Sequence, residues 1–195
     1  MGTGQLGQES ETGPLKVRAF FGLPVPDPQR QQLGRYLAES ATAAPQFRWT
    51  PSANLHLTVR FLGHLNSGVA EDIADQVIDA QPPSFELKLG ELGAFRRGRL
   101  VRVVWMGLGL GEAESSALAA QVEAECVRAG LEPESRRFHP HLTLARARAR
   151  DGAMLPGLPK VPDLDAWRAD QLVLYRSRLG RAGSIYEPLR QISLR

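Results

Sequence analysis

An α+β fold built mainly on antiparallel sheets is what this sequence predicts, on three observations. Segments that alternate apolar and polar residues recur along the chain, the mark of strands with one buried face. Amphipathic stretches of helical period fall between them without the strict strand–helix–strand rhythm of a parallel sheet. One tetrapeptide pattern, His-Leu-Thr-aliphatic, occurs twice, at residues 56–59 and 141–144. Each copy has a helix-bearing segment around it, which implies two similar halves.

The elements follow in order. LKVRAFFGL (15–23) alternates and is β-rich, so it reads as a strand, and the prolines at 24, 26 and 28 turn the chain. A helix follows through QRQQLGRYLAES, with Leu33, Tyr36 and Leu37 on its apolar face. FRWT is a short strand, PSAN a turn, and LHLTVRFLG a strand closed by Gly63. Ser67 caps a helix to about Ala80, with Val69, Ile73, Val77 and Ile78 facing inward. SFELKLGEL and RLVRVVWMGL are strands joined by the loop GAFRRG. Residues 115–129 form a helix, because Leu118, Val122 and Cys126 recur at spacing four and Gly130 stops it. RFHPHLTLARAR reads as a strand, GAMLPGLPKVPDLDA as a Pro/Gly-rich connection, and ADQLVLYRSRL and IYEPLRQISL as strands around the turn GRAGS.

Composition bounds the rest. A chain of 195 residues suits one domain or two closely packed lobes. Residues 1–14 are polar and glycine-rich without an apolar core, so they read as a flexible leader and not a signal peptide. Residues 15–195 form the folded part. No apolar run approaches the ~20 residues of a membrane span. The lone Cys126 has no internal disulfide partner, which favours a reducing cytoplasm. Net charge is +3, and of the 24 basic residues all but Lys16, Lys88 and Lys160 are Arg. Arginine's planar fork suits phosphate, although GC-rich coding produces the same bias. Clusters such as Arg96, Arg97 and Arg99, or Arg146, Arg148 and Arg150, fit an RNA path or solvated surface.

With six threonines in the chain, a doubled His-x-Thr is rare by chance. On a strand, residues two apart share a face. His56 and Thr58 therefore point one way while Leu57 and Val59 point to the core; His141 and Thr143 do the same, backed by Leu142 and Leu144. A single such pair reads most simply as a half-buried histidine bonded to its surroundings. Two identical pairs favour chemistry. One imidazole can act as base while the other acts as acid, since the reference pKa is ~6.5. Cleaving a phosphodiester needs both, plus neutral donors and arginine to hold the phosphoryl oxygens. A strained cyclic phosphate needs no metal for this.

The other candidates read differently. His139 and His141 form an H-x-H pair of the kind that binds metal, yet no Cys or acidic cluster lies at ligand spacing, so no metal is assigned. Pro140 fixes an extended entry to the strand, His139 is a packing or supporting residue, and His64 is turn surface. Cys126 reads as core. Trp49 and Trp105 are either core or base-stacking residues.

The two tetrapeptides resemble the signature of the two-histidine (2H) phosphoesterase superfamily. VRAFFGLPVP, RWTPSANLHLTVRFLG, FHPHLTLAR and LVLYRSRLGRAGSIYEPL are similar to the RNA 2′,3′-cyclic phosphodiesterases, also called 2′-5′ RNA ligases. The resemblance covers about residues 15–195. It implies one bilobal domain of two pseudo-symmetric α+β lobes, each supplying one motif to a central cleft. It also implies hydrolysis of RNA 2′,3′-cyclic phosphate ends to 2′-phosphates. Carried over by motif position, His141 is the proton acceptor that activates water and His56 is the proton donor to the departing 3′ oxygen. Thr58 and Thr143 hold phosphoryl oxygens. Phe61 contacts base or ribose and Arg146 contacts phosphate. The two motifs are near-identical, so the residues alone leave the acid and base roles exchangeable. Phe61 and Arg146 also lie an odd number of residues from their histidines, so each strand must end, bulge or twist there.

The expected partner is thus RNA with a cyclic phosphate end, with no cofactor, no membrane, and a monomeric chain. The alternatives are a phosphodiesterase or reversible ligase acting on 2′-5′-linked or other cyclic nucleotides, and an RNA-end binding protein without turnover. A metallohydrolase is a more distant fourth.

Overall fold

The alternating segments form strands and the amphipathic ones form helices. The computed structural model describes residues 15–180 and 183–195. Its elements are β1 (Lys16–Pro24), α1 (Asp27–Ala43), β2 (Phe47–Trp49), a 3-10 turn (Ser52–Asn54), β3 (His56–Asn66) and α2 (Ser67–Asp79). Then come β4 (Phe85–Arg97), β5 (Leu100–Leu110), α3 (Glu112–Arg128), β6 (Leu142–Ala147), β7 (Trp167–Ala169), β8 (Gln171–Gly180) and β9 (Gly183–Ser193). The leader expected at 1–14 lies outside the described residues, as do Arg181 and Ala182 of the expected GRAGS turn.

All strand pairs are antiparallel. They join into a nine-stranded sheet in the order β7-β4-β5-β6-β3-β1-β8-β9, with β2 added beside β6. This is the α+β class the sequence predicts. The two motif strands, β6 and β3, are central, with four of the eight ordered strands on either side of their junction. That junction is a single paired position, Leu57↔Leu142.

Helices cover one face of the sheet. Leu33 of α1, Ile73 of α2 and Val122 of α3 belong to the same buried cluster as Leu57, Val59, Leu142 and Leu144. Fully burying each such side chain contributes about 2 kcal/mol, and the inward leucines therefore fix which face the histidines present. α3 starts after Gly111 at φ 88°, carries Glu112 and Glu114 in its first turn and Arg128 in its last, and ends before Gly130 at φ 86°. The charges complement the helix dipole, and the glycines take conformations a β-carbon would strain.

Several boundaries differ from expectation. β3 does not close at Gly63 but runs to Asn66, and Gly63 takes φ 72° at an irregularity where the register passes from Phe20↔Phe61 to Ala19↔Gly63. His64 is accordingly exposed on a strand and not in a turn. Asn66 caps α2, its side chain accepting from the Gly68 N–H at 2.8 Å, one residue before the expected Ser67. α2 buries Ala70, Ile73, Ala74 and Val77, whereas Val69 and Ile78 face water. Most of GAFRRG is strand, because the β4–β5 hairpin turns only at Gly98 (φ 59°) and Arg99. β6 begins at Leu142, later than the expected strand, and β7 was not expected at all.

Candidate active site

Leu57 and Leu142, 1% and 0% exposed, face each other at the junction of the motif strands. His56 and Thr58 flank one, His141 and Thr143 the other, and all four polar side chains are half-buried on the opposite face. The single pairing thus brings together two imidazoles and two hydroxyls that are distant in the chain.

The parity conflict at Phe61 and Arg146 is resolved by two matching bulges. Between β1 and β3 the register passes from Gly22↔Thr58 to Phe21↔Arg60, leaving Val59 as an extra residue. Between β5 and β6 it passes from Trp105↔Thr143 to Val104↔Ala145, leaving Leu144 extra. Both strands bulge at the aliphatic residue after the threonine. One inserted residue resets the alternation, so the fifth residue after each histidine returns to the histidine face. Phe61 is 51% exposed there, with its ring 5.8 Å from Phe20, which in turn lies 4.7 Å from His56. Arg146 is exposed, and its charge bears on both imidazoles.

The tautomers are set alike. His56 Nδ1 donates to the Asn54 carbonyl at 2.8 Å, and His141 Nδ1 donates to the His139 carbonyl at 2.7 Å. Each bond leaves Nε2 able to accept a proton; that of His56 lies 3.1 Å from Thr58 Oγ1. Burial disfavours the charged form of His56 and lowers its pKa to about 4, with the positive charge of Arg146 and proximity to His141 adding to it. The Asn54 bond opposes the shift. Burial likewise lowers His141, helped by His139 and Arg146 and opposed by the His139 carbonyl. Both shifts favour the neutral ring in the free protein.

Aromatic side chains wall both histidines. Tyr186 meets His56 edge-on at 5.1 Å, and Tyr175 stacks on Phe20 at 5.2 Å. Phe95 meets His141 edge-on at 5.2 Å, and Trp105 meets His139 at 4.9 Å. His139 is itself exposed, and it meets the His141 ring through its backbone carbonyl. Trp49 packs against the core and donates to the Ala44 carbonyl at 3.1 Å, whereas Trp105 belongs to the wall of the site. Sequence reasoning assigned no role to Phe20, Phe95, Tyr175 or Tyr186. Phe20 and Tyr175 meet through the pairing of β1 with β8, strands far apart in the chain, whereas Phe95 lies in the stretch read as a loop and Tyr186 comes near Tyr175 through the β8–β9 hairpin. Buried Cys126 sits in the core, its thiol pushed up to about 11 chiefly by burial. Of the arginine clusters, Arg97 pairs with Asp151 at 2.5 Å and Arg148 donates to the Pro45 carbonyl at 3.0 Å. Among the described residues, no three His, Cys, Asp or Glu side chains gather as metal ligands.

Two imidazoles, two hydroxyls and a guanidinium thus share one antiparallel sheet, and the chain belongs to the 2′-5′ RNA ligase superfamily, whose model matches residues 25–181. Among its relatives is the RNA 2′,3′-cyclic phosphodiesterase of Aeropyrum pernix, 34% identical over 145 residues, 71% of this chain and 81% of that one. The RNA 2′,3′-cyclic phosphodiesterase of Methanothermobacter thermautotrophicus is 33% identical over 180 residues, 88% of this chain and 96% of that one. The crystal structure of Escherichia coli LigT complexed with 3′-AMP superposes with a TM-score of 0.79 at 27% identity, covering 92% of this chain and 99% of that one. No helix among the described residues is long and apolar enough to cross a membrane.

Proposed function

We propose that this chain hydrolyses RNA 2′,3′-cyclic phosphate ends to 2′-phosphates by metal-independent acid–base catalysis with His56 and His141. The observation that carries the reading is the Leu57↔Leu142 pairing, which sets both His-x-Thr pairs beside one small space into which the Arg146 charge also reaches. A cyclic phosphodiester monoanion in that space meets a cation and hydroxyl donors.

The steps balance. A water oxygen attacks phosphorus while His141 Nε2 takes its proton; the bond from phosphorus to O3′ breaks, and His56 Nε2 delivers a proton to that oxygen. The product carries a 2′-phosphate and a free 3′-hydroxyl. Thr58, Thr143 and Arg146 hold the phosphoryl oxygens, whose charge grows in the transition state, and Phe61 contacts the base or ribose. The substrate's negative charge offsets Arg146 and raises the pKa of His56, which lets that ring hold the proton it must donate.

The two-lobed architecture with a central cleft is part of the same reading, supported by the equal division of strands about the β6–β3 junction. Both pairs come from one copy of the chain, so a monomer suffices. The unpaired cysteine is consistent with work in a reducing cytoplasm.

The test is a short RNA ending in a 2′,3′-cyclic phosphate, incubated with and without chelator and followed by phosphorus NMR. A 2′-phosphate product that persists with chelator is expected. A 3′-phosphate product overturns the regiochemistry, loss with chelator overturns metal independence, and binding without turnover overturns the enzyme.

A further inference from the structure

A cavity of about 600 Å³ opens beside His141, between β3, α3 and the segment that follows α3. Thr58 and His141 line it, so it is continuous with the place where the hydrolase reading sets the phosphate. Phe61 and Phe95 line it too, and they are 51% and 40% exposed. Two phenyl rings left in water beside an anion site match the flat faces of a nucleobase. The volume lies within the range of ligand pockets, ~300–1,000 Å³.

The segment after α3 forms another wall of the cavity and carries two arginines, Arg136 and Arg137. Arg60 is committed to structure: it pairs with Glu123 and Glu134, and donates to the carbonyls of Phe61 at 2.7 Å and Glu132 at 2.8 Å. Glu123 also accepts from the Glu134 N–H at 2.7 Å. This network pins the segment after α3 against α3 and β3. Arg136 and Arg137 follow on that pinned segment and line the cavity, and among the described residues neither pairs with a carboxylate. Uncommitted guanidinium groups beside an apolar slot suit a second phosphate.

Resting on the hydrolase reading above, we propose that this cavity seats the terminal nucleoside of an RNA strand, its base between Phe61 and Phe95, and that Arg136 and Arg137 bind the phosphate on its 5′ side. A cyclic mononucleotide lacks that phosphate. The protein is therefore built to distinguish an RNA end from a free cyclic nucleotide, and Arg136 and Arg137 are the residues that set this specificity.

The experiment compares kcat/KM on a trinucleotide ending in a 2′,3′-cyclic phosphate with that on a cyclic mononucleotide of the same base. The trinucleotide is expected to be preferred by about tenfold or more at low salt, and the preference should shrink as salt rises, as phosphate contacts do. The double variant Arg136→Gln/Arg137→Gln, checked for folding by circular dichroism, should bring the two substrates to within about twofold, because only the 5′ contact differs between them. Phe95→Ala should raise KM for both, since the base is common to both. Equal rates on the two substrates in the wild type, or an undiminished preference in the double variant, overturns the inference while the hydrolase reading stands. Hydrolysis of neither substrate overturns both.

Discussion

Gly22 lies directly against His56: a β-carbon at position 22 would sit 3.2 Å from the His56 Cδ2 and 3.1 Å from the Leu57 carbonyl oxygen. β1 therefore approaches β3 where the His56 ring takes the room of a missing side chain. Gly22→Ala is expected to leave the fold intact but tilt the imidazole, lowering kcat by about ten- to a hundredfold, the cost of a small misplacement at a reacting centre. Steady-state kinetics with a cyclic nucleotide, alongside a thermal melt, will separate this from simple destabilisation. Wild-type kcat in the variant would remove β1 from the account of the site.

The two histidines should fail separately. His56→Asn and His141→Asn are each expected to lower kcat by about 10²–10⁴-fold. Both rings are half-buried while the neighbouring Leu57 and Leu142 carry the packing, so melting temperatures should change little. Near-normal turnover in either variant contradicts the assignment.

Burial makes pH a probe of His56. Its folded pKa of about 4 lies below the unfolded reference of about 6.5, so the unfolded chain binds more protons in between. The stability involved is fully present above pH ~6.5 and is lost as pH falls through ~4, by roughly 3 kcal/mol. The lowered pKa of His141 acts in the same direction. Urea melts at a series of pH values should show this slope, reduced in His56→Asn. Proton NMR of the His56 ring should place its titration near 4 and move it upward when inorganic phosphate is added. A titration near 6.5 in the free protein would contradict the burial argument.

Trp105 depends on Gly93. A β-carbon at Gly93 would fall 2.2 Å from the indole Cη2 and Cζ2, so the ring lies flat across that glycine. The same indole meets His139, whose carbonyl fixes the His141 tautomer. Gly93→Ala should displace the ring at a cost of about 1–3 kcal/mol, with a shift in tryptophan fluorescence and a loss of activity. Trp105→Phe/Gly93→Ala should recover part of both.

Much of this was legible in the chain because alternation and helical period are local signals. The His-x-Thr pairs, their inward leucines and the helix stop at Gly130 all follow from residues within a few positions of one another. Once the family resemblance sets Phe61 and Arg146 on the side of the histidines, parity also calls for an irregularity before each. What stayed hidden depends on partners far along the chain. Phe20 and Tyr175 come together only because β1 lies between β3 and β8 with Phe20 opposite Tyr175. Phe95 lay in a stretch whose composition suits a loop, yet hydrogen bonding to β5 extends it as strand up to a turn at Gly98 and Arg99. β7 spans only Trp167–Ala169, too short to alternate, and exists because β4 offers an edge. The cap of α2 moved one residue because Asn66 reaches the Gly68 N–H.

The short seam at Leu57↔Leu142 also has a mechanical consequence. Because so little strand pairing joins the two flanks there, the connection rests on what crosses the seam above the sheet: α3 packs on β3, and Arg60 of β3 pairs with Glu123 of α3 and with Glu134 beyond it. Loosening one flank from the other would therefore mean breaking a charged cluster and not a ladder of backbone bonds.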